Sequence, residues 1–87
     1  MKIKEGFTLR KFADKNIVVA SGEVASNFNK VIALDHSGKL LFEALLIGAS
    51  EEELISLLLE NYRVTLEKAK KDVKTFLQIL TINKLLE

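Results

Sequence analysis

The chain has no cysteine, proline or tryptophan, one histidine and four scattered glycines. Without cysteine there is no disulfide to brace the fold and no thiolate metal site. His36 has no second histidine and no cysteine to join it, so no zinc set can be assembled, and it reads as a surface residue in the first turn of a helix. Gly6, Gly22, Gly38 and Gly48 are isolated, which excludes a phosphate-cradling loop. Ser21 and Ser37 lack the base and orienting group of a nucleophilic triad. Asp35 and Glu43 stand roughly two helical turns apart, but nothing in the sequence would perturb either, and capping and solvation account for them. The reading is a non-enzyme, with no cofactor and no metal. The opening "MKIKEGFTLRK" has no apolar run of the signal-peptide kind, and no stretch approaches the ~20 apolar residues of a membrane span. The expected location is the cytoplasm, with no membrane partner.

One sign of charge is not in excess either. Thirteen basic and twelve acidic side chains leave a net charge of +1, too balanced for a protein whose affinity rests on neutralising several phosphates. Glu51, Glu52 and Glu53 stand together, and Lys68, Lys70, Lys71 and Lys74 cluster around Glu67 and Asp72. Both groups read as solvated helix faces. Hydrophobic residues, by contrast, make up 48 % of the 87 residues. That is rich for a length that allows one domain (1–87) and buries only about 60–65 % of its unfolded surface.

The first half carries strand patterns. In "FTLRKF", Phe7 and Leu9 alternate with Thr8 and Arg10. "NIVVA" (Asn16–Ala20) is β-branched and follows the turn residues Asp14-Lys15-Asn16. "SGEVASN" (Ser21–Asn27) reads as a loop, and "FNKVIAL" (Phe28–Leu34) as a third strand with Phe28, Ile32 and Leu34 on one face and Asn29, Val31 and Ala33 on the other. Strands joined by short links form a meander, which puts the third at an edge.

The second half predicts three helices, over about 36–46, 51–62 and 66–82. Asp35 caps the first. Leu40, Leu41, Phe42, Ala44, Leu45 and Leu46 cover most of its circumference, the mark of a helix buried on several sides. Gly48 suits its stop. Ser50 and Glu53 form a capping box for the second helix, with a core stripe of Leu54, Ile55, Leu58 and Tyr62. Thr65 caps the third, whose core stripe is Leu66, Ala69, Val73, Phe76, Leu77 and Leu80. A second stripe, Thr75, Ile79, Ile82 and Leu86, lies about 100–160° from the centre of the first. It admits three roles: further core, a dimer seam or a ligand groove.

The fold class is therefore α+β and winged-helix-like: a three-stranded antiparallel sheet followed by three helices. Three functions fit it. A winged helix-turn-helix regulator would lay the third helix in the DNA major groove, with Lys70, Lys71 and Lys74 near phosphate. However, no wing follows that helix, and only Gln78 on its exposed face reads base edges, so nucleic acid is not the expected partner. A peptide-binding module would take an extended segment along the third strand and select its side chains in neighbouring pockets. A structural homodimer module would pair through Ile79, Ile82 and Leu86. Monomer and homodimer both remain open.

The order of motifs from 35 to 80 carries a resemblance. Leu34-Asp35, Ser37-Gly38 and Leu41-Phe42 are followed by Gly48 and Ser50, Glu52-Glu53-Leu54, Tyr62, Asp72-Val73 and Phe76-Leu77. In this the chain resembles the PqqD-like family, the small peptide-binding modules also called RiPP recognition elements. The resemblance implies a domain without activity of its own, acting as a peptide chaperone in natural product biosynthesis. It binds the leader region of a ribosomally made precursor peptide and presents it to a modifying enzyme, often a radical SAM enzyme. It also implies that the leader pairs with the third strand and packs against the third helix. Carried over by position, the binding residues are Phe28, Asn29, Lys30, Val31, Ile32, Ala33 and Leu34 on the strand. The helix wall is the Val73–Ile82 region, and the candidates on the third helix are Lys74, Thr75, Gln78, Ile79 and Ile82, with Lys71 beside them; Lys71 or Lys74 would attract acidic leader residues. The chain departs from the family pattern at Phe42, often Trp, and at Lys84, where a Gly often precedes the last leucine pair. It also has "VASGEVASNFNKV" where members working in pyrroloquinoline quinone synthesis carry a "YPEG"-like stretch. The expectation is a stand-alone recognition protein for another peptide pathway.

Overall fold

A computed structural model describes residues 1–26, 28 and 31–87. Three strands come first, β1 (Phe7–Phe12), β2 (Lys15–Ala20) and β3 (Ile32–Leu34), then α1 (His36–Ile47), α2 (Glu51–Asn61) and α3 (Leu66–Ile82). β1 and β2 form a hairpin paired antiparallel from Phe7↔Ala20 to Phe12↔Lys15. β3 adds antiparallel to β2 through Asn16↔Leu34, Ile17↔Ala33 and Val18↔Ile32. The sheet order is β1-β2-β3, so β3 is an edge strand. The winged-helix comparison is loose, because the sheet precedes the helices instead of following them.

The third strand is shorter than the alternation predicts. Phe28 and Val31 lie outside it, and Asn29 and Lys30, expected in the same strand, fall outside the described residues. Phe28 is drawn off the strand line to meet Phe7 edge to face, with ring centroids 5.1 Å apart. Val31 is 80 % exposed. The segment expected as a loop before it contains a short 3-10 helix, Gly22–Ser26, whose Val24 packs against the core.

Each helix begins on the cap its sequence offers. Asp35 accepts from the Gly38 N–H at 2.8 Å. Ser50 and Glu53 make the reciprocal capping box, and Thr65 accepts from the Lys68 N–H. Each cap satisfies an amide that the helix leaves without a partner. Gly48 ends α1 at φ 119°, a conformation open to a residue without Cβ. α3 ends in a Schellman arrangement, in which the Leu85 N–H donates to the Leu80 carbonyl and the Lys84 N–H to the Thr81 carbonyl. Leu80 and Leu85, which make the accompanying apolar contact, are fully buried. Lys84 occupies the left-handed position at φ 60°, the very place where the family pattern favours glycine.

The core lies where the sheet meets the helices. Phe7 and Val18 face Leu41, Phe42 and Leu45 of α1, Leu54 and Leu58 of α2, and Ala69, Val73, Phe76 and Leu80 of α3. Tyr62 and Leu66, both expected in the core stripes, are instead 37 % and 50 % exposed. The segment before β1 completes the core. Ile3 is buried, bridges Leu86 and donates its N–H to the Leu45 carbonyl, which satisfies an acceptor in the last turn of α1. Lys4 donates to Leu85 and Glu87 to Lys2, so the two ends of the chain close on each other beneath α1.

Candidate functional site

β3 hydrogen-bonds β2 on one side, and among the described residues its other edge has no strand partner. Ile32 and Leu34 turn inward and pack on the core, while Ala33 stays exposed. Backbone N–H and C=O groups along such an edge are ready to pair with an added strand. α3 runs past this edge, and between the two lies a groove of about 400 Å³. Its strand wall is Ala33 and Leu34, its floor is Leu41, Leu58 and Phe76, and its helix wall is Thr75 and Ile79. Asp35, Ser37, Lys68 and Asp72 form the polar end.

The helix wall follows from helical geometry. Lys68, Asp72, Thr75 and Ile79 recur at four, three and four residues and so share one face, while Ala69, Val73, Phe76 and Leu80 point into the core. Ile79 is 42 % exposed, enough to offer apolar surface to an occupant. The Lys68 ammonium pairs with the Asp72 carboxylate at 2.9 Å, with both side chains largely in solvent. A pair of this kind contributes little to stability and can be rearranged cheaply. Asp35 is held by its capping role: the Gly38 N–H and the Ser37 hydroxyl, which donates at 2.9 Å, lower its carboxyl below the ordinary range. Gly38 lies against Leu34, where an added Cβ would sit 3.2 Å from the Leu34 Cβ. The small residue lets α1 approach the strand closely.

Of the residues expected to bind peptide, the groove gathers Ala33, Leu34, Thr75 and Ile79. Ile32 is half-buried against the core and is not part of the groove lining. Phe28 and Val31 lie beyond its end, and Asn29 and Lys30 are outside the described residues. Lys74, Gln78 and Ile82 are displaced: they line a different depression with Glu51, Leu77 and Thr81. Lys71 is exposed and is not part of the groove lining. The expected second stripe also divides. Ile82 is 73 % exposed and Leu86 lies past the helix end, paired with Ile3. The stripe and the groove wall share Thr75 and Ile79 and point nearly the same way round α3; they part along its length, the wall continuing toward Asp72 and Lys68 and the stripe toward Ile82 and Leu86. The groove adds Lys68, Asp72, Phe76, Leu41 and Leu58. The signal for Lys68 and Asp72 was their own spacing with Thr75 and Ile79, masked by their charge.

A larger depression, about 580 Å³, lies between the end of α1 and α2, with Ala44, Ile47 and Leu57 ringed by Glu52, Glu53 and Glu60. It has no strand in its lining, so it offers side chains without a row of backbone partners. Among the described residues, no group of three or more carboxylates and imidazoles converges as a metal site, and no helix is long and apolar enough to cross a membrane.

Comparison with known proteins agrees with this architecture. The family model described as Coenzyme PQQ synthesis protein D (PqqD) matches residues 16–86. No curated protein sequence matches the chain. Among solved structures, TbiB1 in complex with the TbiA(beta) leader peptide is similar over 100 % of this chain and 95 % of its own, at 23 % identity and a TM-score of 0.80. A lasso peptide synthetase B1 complexed with its leader peptide is similar over 97 % and 93 %, at 17 % identity and a TM-score of 0.74. At these identities the likeness speaks for the fold, three antiparallel strands followed by three helices.

Proposed function

The chain belongs to the PqqD family, and on that premise we propose that it is a non-catalytic peptide-capture module. An extended segment of a precursor peptide, its leader region, adds to the free edge of β3 and lays alternate side chains into the groove against α3. The observation that carries this reading is the juxtaposition of a strand edge with no strand partner among the described residues and an apolar-floored groove of about 400 Å³. Backbone pairing then supplies a sequence-independent grip, and the groove supplies selection. That both solved neighbours hold leader peptides supports the choice of occupant.

The bound segment is handed to a separate modifying enzyme, a radical SAM enzyme where the pathway uses one. The place of work is the cytoplasm, where a ribosomal precursor is first met. The different stretch before β3 favours a peptide pathway other than quinone synthesis.

The test is an NMR titration of the amide-labelled protein with leader peptides of precursors encoded beside its gene. Shifts concentrated at Ile32–Leu34 and along Asp72–Ile79 are the expected result. Shifts confined to the α1–α2 depression around Ile47 and Leu57 would refute strand addition at β3. Shifts with duplex DNA at Lys70–Gln78, and none with any leader, would replace peptide capture with the regulator reading.

A further inference from the structure

The run of surface between β3 and α3 does not stop at Ile79. One turn further along the helix, Asn83 and Lys84 line a second depression of about 320 Å³ with Phe7, Val24 and Phe28, and with Lys4 and Glu23 also in its lining. The Phe7–Phe28 pair, crossed at 81°, supplies much of its apolar wall. Asn83, in the lining of the second depression, donates its side-chain amide to the carbonyl of Ile79, in the lining of the first, at 2.8 Å. The Asn83 Oδ1 is buried and, among the described residues, has no hydrogen-bond partner.

The two ends differ in charge. The Leu34 end is lined by Asp35 and Asp72 against Lys68, a net negative lining. The Asn83 end has Lys4 and Lys84 against Glu23, a net positive one. We infer that the surface reads the order of charges along the captured peptide: a basic residue toward its N-terminal side, an apolar residue at the centre over Ile79, and an acidic residue toward its C-terminal side between Lys4 and Lys84. This rests on the peptide-capture reading and adds direction and register to it.

Direction follows from the sheet, in which both existing pairings are antiparallel and antiparallel pairing is the slightly more stable kind. A segment antiparallel to β3 enters beside Leu34 and leaves toward Phe28. Register follows from length. From Asp72 to Asn83 the helix advances about 16 Å at 1.5 Å per residue, which about five extended residues cover. Ile79 divides that length into about 10 Å on the Asp72 side and about 6 Å on the Asn83 side, about three and two extended residues, so the basic residue falls two or three positions before the apolar one and the acidic residue two or three after it. Complementary charge placed in this way fixes register and suppresses wrong partners more than it adds raw affinity.

The experiment is selection from a displayed library of nine-residue peptides, with leucine fixed at the centre and the other positions random, panned against the full chain and against a K4Q/K84G variant. Glycine suits the left-handed backbone at position 84, and a thermal melt of the variant checks that its fold is retained. The expected result is enrichment of Lys or Arg two or three positions before the leucine and of Asp or Glu two or three after it. The variant should lose the acidic preference and keep the basic one. A selected peptide and its charge-swapped counterpart should then differ about tenfold in Kd, the size expected of two exposed charge pairs. Enrichment with no charge order, or with the reverse order, overturns the inference and leaves peptide capture standing. No enrichment of any sequence overturns both.

Discussion

Replacing Ile79 with glutamate puts a charge on the helix wall of the β3–α3 groove at a position only partly used by the core. Ile79 is 42 % exposed, so a little over half of its surface already rests on protein. Fully burying an isoleucine contributes about 1.5–3 kcal/mol. Scaled by the buried part, Ile79→Glu costs the fold about 0.9–1.7 kcal/mol, and for a chain of this size that lowers the melting temperature by about 4–14 °C. Covering the exposed part with peptide contributes about 0.6–1.3 kcal/mol to binding in the parent. In the variant that gain disappears, and closing the groove also strips water from a carboxylate, which costs several kcal/mol more. The combined loss exceeds about 2 kcal/mol, or roughly thirtyfold in Kd. Calorimetry with a leader peptide, read beside circular-dichroism melts, separates the two effects. Ile82→Glu is the control: Ile82 is 73 % exposed and lines the other depression, so its variant should bind within about twofold of the parent. The reasoning fails if folded Ile79→Glu binds like the parent, or if it is unfolded at 25 °C. The first outcome would mean the groove is not the site, and the second that Ile79 belongs to the core.

Lys84→Gly should stabilise the chain. Holding the left-handed conformation (φ 60°) without a Cβ recovers about 1–2 kcal/mol, offset by about 0.4–1 kcal/mol of extra freedom in the unfolded glycine, and a melting temperature that does not rise would show that the lysine stem makes compensating contacts. Gly6→Ala should destabilise by about 2–4 kcal/mol in chemical denaturation, since Gly6 sits at φ 98° and its added Cβ would lie 2.5 Å from the Val24 Cγ2; an unchanged midpoint would mean that the 3-10 helix yields freely. Asp35→Ala should cost about 1 kcal/mol at neutral pH by removing the α1 cap. The folded Asp35 carboxyl lies below its ordinary value, so its stabilisation is fully present above the unfolded value of about 3.9 and disappears as pH falls through the folded one. Parent and variant melts should therefore converge in acid, and a gap independent of pH would assign the cost to something other than the carboxylate.

Local chemistry explains what could be read in advance. Caps depend on one side chain and a backbone amide three residues away, so Asp35, Ser50 with Glu53, and Thr65 were all legible and all form. The alternation in β1 was equally plain, with Phe7 buried and Thr8 exposed. The losses came where distant parts of the chain compete for a residue. Phe28 continues the parity of β3, yet Phe7, twenty-one positions earlier, takes it for an aromatic contact. Ile3 sits between two lysines with no periodic neighbours, and only closure against Leu45, Leu85 and Leu86 makes it core. At the site, apolar spacing runs through Ile79, which lines the groove, and on to Ile82 and Leu86, which do not, because nothing local announces that α3 stops at Ile82 with a lysine in the left-handed position. Charge alone singles out Lys71 and Lys74, but side-chain direction on α3 takes Lys74 to a different depression and leaves Lys71 outside the groove lining.

The brevity of β3 bears on how the module would bind. A long, flat, apolar edge invites pairing with any exposed strand, but β3 offers three residues, Ile32–Leu34, one of them alanine on the exposed face. So short an edge makes few backbone hydrogen bonds, each of about 0.5–1.5 kcal/mol net. Those bonds must also offset the cost of ordering a flexible peptide, about 1–2 kcal/mol of backbone entropy per residue. Backbone pairing alone therefore comes out near zero for any sequence. The deciding free energy has to come from side chains that fill the space among Leu41, Leu58, Phe76 and Ile79. An edge with this balance rejects indiscriminate strands and accepts only a segment whose side chains fit. Lengthening β3 by strengthening its first residues should therefore raise affinity for every extended peptide alike and erode selectivity, whereas enlarging or filling the groove should change which peptide is preferred.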